Sequence, residues 1–222
     1  MGTLCVALVG ANTASAPADA PIRTLVYEYA FDSRSFLGSD PGSGSATGQI
    51  TVEVIEATAD GGLVVDVTQS VDRAARPLQT IRCALYGATT DVVCDQNVGS
   101  TGEETALLTF LGRGFFDMGR LDTKGHWHTS PRIRNGQLTD DEDFTVTKTE
   151  GDRVTIAVDQ EQRNGNFRSS ATGTVVYDAA MDIPDSLRLV AAATNSGGEE
   201  DTNVSFALIS DSIAKPAASN PH

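Results

Sequence analysis

Basic residues are scarce in this 222-residue chain: 16 Lys and Arg stand against 30 Asp and Glu, a formal net charge of −14. A field of that sign repels phosphate backbones and anionic headgroups, which argues against nucleic acid and peripheral-membrane partners. It also keeps a β-rich protein soluble. Cysteine is scarcer still, with three residues, none at the tight C-x-x-C spacing that redox and zinc sites favour. The G-x-S-x-G elbow of hydrolases and the spaced D-x-D-x-D-G calcium loop are both missing. Of the three histidines one is His222, at the extreme end. Nucleophilic catalysis therefore has little to work with, and paired carboxylates cannot be matched as acid and base without a fold. No catalytic residue, cofactor or metal is expected, and an enzyme is unsupported.

No apolar run is long enough to span a bilayer. The nearest approach is Thr3 to Ala11 (TLCVALVGA), followed by small residues from Asn12 to Ala20. That order reads as an export signal, with Ala14-x-Ala16 or Ala16-x-Ala18 as the cut. No Lys or Arg precedes the apolar run, and a buried first strand is the competing reading. The expected organisation is a cleaved signal over 1–18, one β domain over 19–214 and a disordered tail over 215–222, with no transmembrane segment in the mature chain.

Cys5 would leave with the signal, which leaves Cys83 and Cys94. An even count in an exported protein reads as a disulfide. Residues 78–86 (LQTIRCALY) and 91–95 (DVVCD) are strand-like and flank a short turn. Pairing Tyr86 with Asp91 puts Cys83 opposite Cys94, where facing β-carbons of an antiparallel pair come within bonding reach.

Period-two alternation runs through most of the chain. Leu25, Tyr27, Tyr29 and Phe31 share one face, as do Ile50, Val52 and Val54, then Leu63, Val65 and Val67. Later come Phe144 and Val146, Val154, Ile156 and Val158, and Val204, Phe206 and Leu208. Half-apolar strands of this kind build antiparallel sheets with one wet face. Turn chemistry at Asp60-Gly61-Gly62, Glu150-Gly151-Asp152, Arg163-Asn164-Gly165-Asn166 and Asn195-Ser196-Gly197-Gly198 joins neighbours as hairpins. Ser39–Gly48 reads as a flexible loop. The fold class is mainly β: a curved antiparallel sheet, a half-barrel of about ten strands in meander order, packed on one short helix.

That helix starts at a capping box, Thr101-Gly102-Glu103-Glu104, and carries Ala106, Leu107, Phe110 and Leu111 at helical spacing before Gly112. Phe115, Phe116 and Met118 extend its apolar character. It is either a plug that fills the sheet or a lid over a cavity. Gly125-His126-Trp127-His128 sets two imidazoles on one face of a strand, a pair that could chelate a metal given a third ligand. The plainer expectation is Trp127 packed inward with both histidines exposed. Asp140-Asp141-Glu142-Asp143 reads as a solvated turn, and Glu199-Glu200-Asp201 as a charged hairpin tip. Asn203-Val204-Ser205 is a glycosylation sequon inside a strand and is discounted.

The order of parts, from Tyr27-Glu28-Tyr29 through a hairpin over 48–71 and Phe110-Leu111-Gly112, continues to Leu121, Gly125 and Trp127 and ends in Gly173–Asp178 and Asn203–Phe206. It resembles bacterial exported half-β-barrel proteins, the class that contains the periplasmic lipoprotein carriers. The resemblance implies an acyl chain held between the concave face and covering helices, lined here by Phe110, Phe115, Phe116, Met118 and Trp127. The function it implies is non-enzymatic, an exported envelope protein, periplasmic or extracellular, that binds a lipid or other apolar ligand. The alternative is a structural or protein-interaction module of the envelope with a filled core, its partner another envelope protein.

Overall fold

The computed structural model describes residues 20–37, 40–72, 79–87, 92–95, 102–112, 115–129 and 138–213. The expected signal and tail lie outside them. The alternating segments form one open, curved antiparallel sheet of eleven strands. They are β1 (Arg23–Leu37), β2 (Asp40–Ala57), β3 (Leu63–Val71), β4 (Ile81–Leu85), β5 (Val92–Cys94) and β6 (His126–Thr129). After these come β7 (Leu138–Glu150), β8 (Arg153–Asn164), β9 (Phe167–Asp178), β10 (Ile183–Asn195) and β11 (Gly198–Asp211). One helix, α1 (Gly102–Leu108), and a 3₁₀ turn at Met118–Arg120 separate β5 from β6.

The spatial order is β5-β4-β3-β2-β1-β11-β10-β9-β8-β7-β6. Each half is a meander, and the first and last strands join the halves in the middle. β5 and β6 therefore sit at opposite edges. Hairpins between neighbours are tight: Glu150 pairs with Arg153 and Asn164 with Phe167. Gly151 and Gly165 take φ of 61° and 57° there, a conformation two-residue turns demand and side chains resist.

Two sequence expectations need correction. Of the expected loop Ser39–Gly48, Ser39 lies outside the described residues and 40–48 is strand, because β2 begins at Asp40 and pairs with β1 from its first residue. Small polar residues look like a turn by composition, yet the ladder with β1 supplies their backbone partners. The acidic run 140–143 is likewise part of β7, not a turn. Its alternation splits it: Glu142 is buried on the inner face and Asp143 faces out.

The core lies on the concave face. Leu25, Tyr27 and Tyr29 of β1, Ile50 and Val52 of β2, Ile156 of β8, Val175 and Tyr177 of β9 and Phe206 of β11 are all buried. α1 and the chain after it fill the space above them. The helix is shorter than the spacing predicts, and Leu107, Leu108, Phe110, Leu111, Phe115 and Phe116 are buried whether helical or not. Thr101 of the expected capping box lies outside the described residues, and Glu104 is buried. Toward the β1–β2 turn the inward positions shrink to residues such as Ser33, Ala46, Ala171 and Ala191, all only partly buried. The core thus occupies one end of the sheet.

Cys83 and Cys94 are bonded, at facing positions of β4 and β5. The bond clamps a three-residue edge strand that could not hold itself. Reduction, or the pair of substitutions C83A and C94A, is expected to lower unfolding free energy by about 2–3 kcal/mol, the loop-entropy value for so short a closure. Urea titrations with and without reductant read the difference directly.

Candidate functional site

Four of the residues expected to line a ligand site, Phe110, Phe115, Phe116 and Trp127, come together in one place, but mostly to pack on one another. Phe115 is the hub: its ring centroid lies 4.8 Å from Phe110, 5.2 Å from Phe144, 5.4 Å from Tyr177 and 5.7 Å from Trp127. Trp127 stacks on Phe144 at 4.8 Å and an interplanar angle of 21°. Phe110, Phe115 and Trp127 are therefore buried inside the molecule. Phe116 packs on Trp127 and Tyr177 as well, and it also reaches the wall of the cleft described below. The side chain of Met118 lies outside the described residues.

The chain from α1 spans the sheet because β5 and β6 are on opposite edges. Gly112 marks the crossing. Its N–H donates to the carbonyl of Asp182 at 3.0 Å, and its own carbonyl accepts from the Tyr177 hydroxyl at 2.9 Å. A β-carbon built on it would lie 3.3 Å from Leu63 of β3. β3 and β9 are separated by four strands, so contact with both requires the sheet to curl around the crossing segment. That segment is a plug. Burial pushes the Tyr177 phenol well above its usual range, so it stays a hydrogen-bond donor at any physiological pH.

Where the plug meets the open end of the sheet a cleft of about 900 Å³ remains. Its apolar wall is built from Leu25, Val54, Leu63, Leu111, Phe116 and Ile183, with Ile22 and Ile213 exposed at its edge. The polar part of the lining includes Arg23, Asp60, Asp117 and Asp182. Arg23 is tied down: Nε and Nη2 donate to Asp211 at 3.1 and 2.8 Å, and Nη1 donates to the Met181 carbonyl at 2.9 Å. Burial alone would raise the Asp211 carboxyl, and the bonds from Arg23 and the Ile213 N–H outweigh it, so the acid sits below its ordinary range. Sequence reasoning did not find this cleft. Its walls are drawn from six separated stretches, and no local pattern marks them.

On the outer face His126 Nε2 and His128 Nδ1 both contact Asp143 Oδ1, at 3.0 and 3.1 Å. Trp127 points inward between them, as alternation requires. Among the described residues no group of three His, Cys, Asp or Glu side chains is placed to hold a metal ion. The two rings instead fix a carboxylate that lies directly opposite Asp159 of β8.

No protein-family model matches the chain, and no curated protein matches it. Among solved structures the chain is similar to lipovitellin, in a structure concerned with that protein's lipid–protein interactions. The TM-score is 0.51 at 13% identity, over 91% of this chain and 26% of the lipovitellin chain. The chain thus spans about a quarter of the length of that neighbour. At this identity the likeness shows a shared β architecture and nothing finer. No helix among the described residues is long and apolar enough to cross a membrane.

Proposed function

We propose that this chain is a non-enzymatic binding module of the cell envelope that takes a lipid-like apolar ligand in the cleft between plug and sheet. The observation that carries the reading is the cleft itself: about 900 Å³, walled by apolar side chains from both plug and sheet, with two isoleucines exposed at its edge. That volume is in the usual range for small-molecule sites. Two exposed β-branched residues beside an apolar groove are the surface a ligand would cover. The likeness to lipovitellin, whose structure concerns lipid–protein interactions, supports the same reading. Export belongs to the proposal and rests on the signal-like first segment and the Cys83–Cys94 bond, and kinship with the periplasmic lipoprotein carriers rests on the order of parts along the chain.

This reading moves the ligand away from the middle of the concave face, where the aromatic plug leaves no room. The packed plug favours a second reading, a structural or interaction module of the envelope that needs no ligand.

Nile red, a neutral apolar dye, separates the two. Saturable binding with a blue-shifted emission is expected, and Met181→Trp, which puts an indole into the cleft, should weaken it about tenfold with little change in melting temperature. Absence of saturable binding, or binding indifferent to Met181→Trp, would leave the structural module standing.

A further inference from the structure

Asn203-Val204-Ser205 is the one Asn-x-Ser/Thr sequence in the chain, and the sheet turns its acceptor outward. Val204 is buried in the core, so alternation points Asn203 and Ser205 to the other face, where Asn203 is exposed. Among the described residues its amide makes no hydrogen bond. β11 sets it between Asp32 of β1 and Val190 of β10. Around it runs a second groove of about 890 Å³, with Ser45, Thr172 and Ala192 among its small lining residues and Arg34 beside them. Val190, 47% exposed, gives the apolar face of a pyranose ring a surface to rest on. The hydroxyls, the guanidinium and the carboxylate around it are partners for the ring's own hydroxyls.

A paired strand is a poor acceptor peptide, but β11 pairs late. It has to insert between β1 and β10, and its ladder with β1 joins residues as far apart as Asp32 and Asn203. Non-local pairing of this kind forms slowly, which leaves the sequon open while the chain folds. Asp201 stands two positions before the asparagine, the acidic flank that bacterial N-linked transferases require.

We propose that Asn203 is an N-glycosylation site whose glycan lies along the outer groove. Asn203 Nδ2 bonds to C1 of the first sugar as the bond from C1 to the phosphate of a polyprenyl-linked oligosaccharide breaks. The lipid phosphate leaves, and the Nδ2 proton passes to a base of the transferase. The step needs the export proposed above but not the apolar ligand, because no residue lines both grooves.

The test places the full chain behind a host secretion signal in a bacterial periplasm supplied with an oligosaccharyltransferase and its lipid-linked glycan. The host then sets the compartment. Intact mass should show one added glycan, carried by the tryptic peptide that begins at Leu189. Asn203→Gln and Ser205→Ala should each abolish it, Ser205→Thr should keep it, and Asp201→Asn should lower its occupancy. The glycosylated protein should melt within about 2 °C of Asn203→Gln, since the change stays on the surface. An unmodified wild-type chain would overturn the proposal. So would a glycan that persists in Asn203→Gln, or one found only on aggregated chain, which would mean that the folded sheet cannot carry it. Nile red is titrated on both forms: loss of dye binding from both removes the ligand reading and leaves the glycan site standing.

Discussion

Phe115→Ala is expected to cost about 4 kcal/mol of unfolding free energy, more than any other single truncation in the plug. The side chain is 1% exposed and meets four aromatic rings at 4.8–5.7 Å. Truncation forfeits the transfer free energy of the ring and leaves a cavity that four rigid neighbours cannot close, and Phe→Ala losses of about 3–5 kcal/mol follow from those two terms. Edge-to-face geometry with Phe110, Phe144 and Trp127 adds to the loss, since each such pair contributes about 0.5–1.5 kcal/mol beyond burial. Phe116→Ala is the informative companion. Phe116 touches only two of those rings and borders the cleft, so its truncation should cost less and enlarge the cleft. Urea denaturation of the two variants should separate them by at least about 1 kcal/mol. Equal losses would mean that the plug packs on the sheet without a hub.

The hub also explains what could be read from the chain alone. Strand identity was legible because alternation is a local signal, and burial on the inner face enforces it residue by residue. Cys83 facing Cys94 was legible for the same reason: counting outward from a short turn sets the register. Plug against lid was not legible. A run such as Leu107, Leu108, Phe110 and Leu111 has the same composition in either role. What decides it is that β5 and β6 lie at opposite edges, which forces the segment between them across the concave face. That is a property of strand order, and strand order follows from β1 pairing with β11, whose partners run from Leu25 with Asp211 to Leu37 with Gly198. The cleft was hidden more deeply, because Ile22, Val54, Leu63, Phe116, Ile183 and Ile213 share no periodicity. The stretch 40–48 failed in the opposite direction. Its composition is that of a turn, and only the fifteen-residue β1 lying alongside makes it a strand.

Gly173→Val is expected to lower stability by about 3 kcal/mol or more and to reduce soluble yield. A glycine inside a strand ordinarily weakens it, so its presence in β9 calls for a cause. A β-carbon at this position would lie 2.0 Å from the backbone carbonyl oxygen of Arg188 on β10 and 2.7 Å from Cδ2 of Leu189. The first contact is with main chain, which cannot rotate away, so the β9–β10 ladder itself must open. The second displaces Leu189, a buried side chain that covers the glycine. Overpacking of a core commonly costs about 1–3 kcal/mol, and the backbone component puts this site at or above the top of that range. β9 lies between β8 and β10 and carries Tyr177, which bonds the plug at Gly112, so the damage should spread to the contacts of that residue four positions along. The matched control is Ser169→Val, four residues earlier on the same face and only partly buried. Away from the core, that change should stay within about 0.5 kcal/mol. If both valines behave alike, close approach of β10 is not what keeps position 173 a glycine. A loss confined to Gly173→Val ties the residue to the spacing of the two strands beneath the plug.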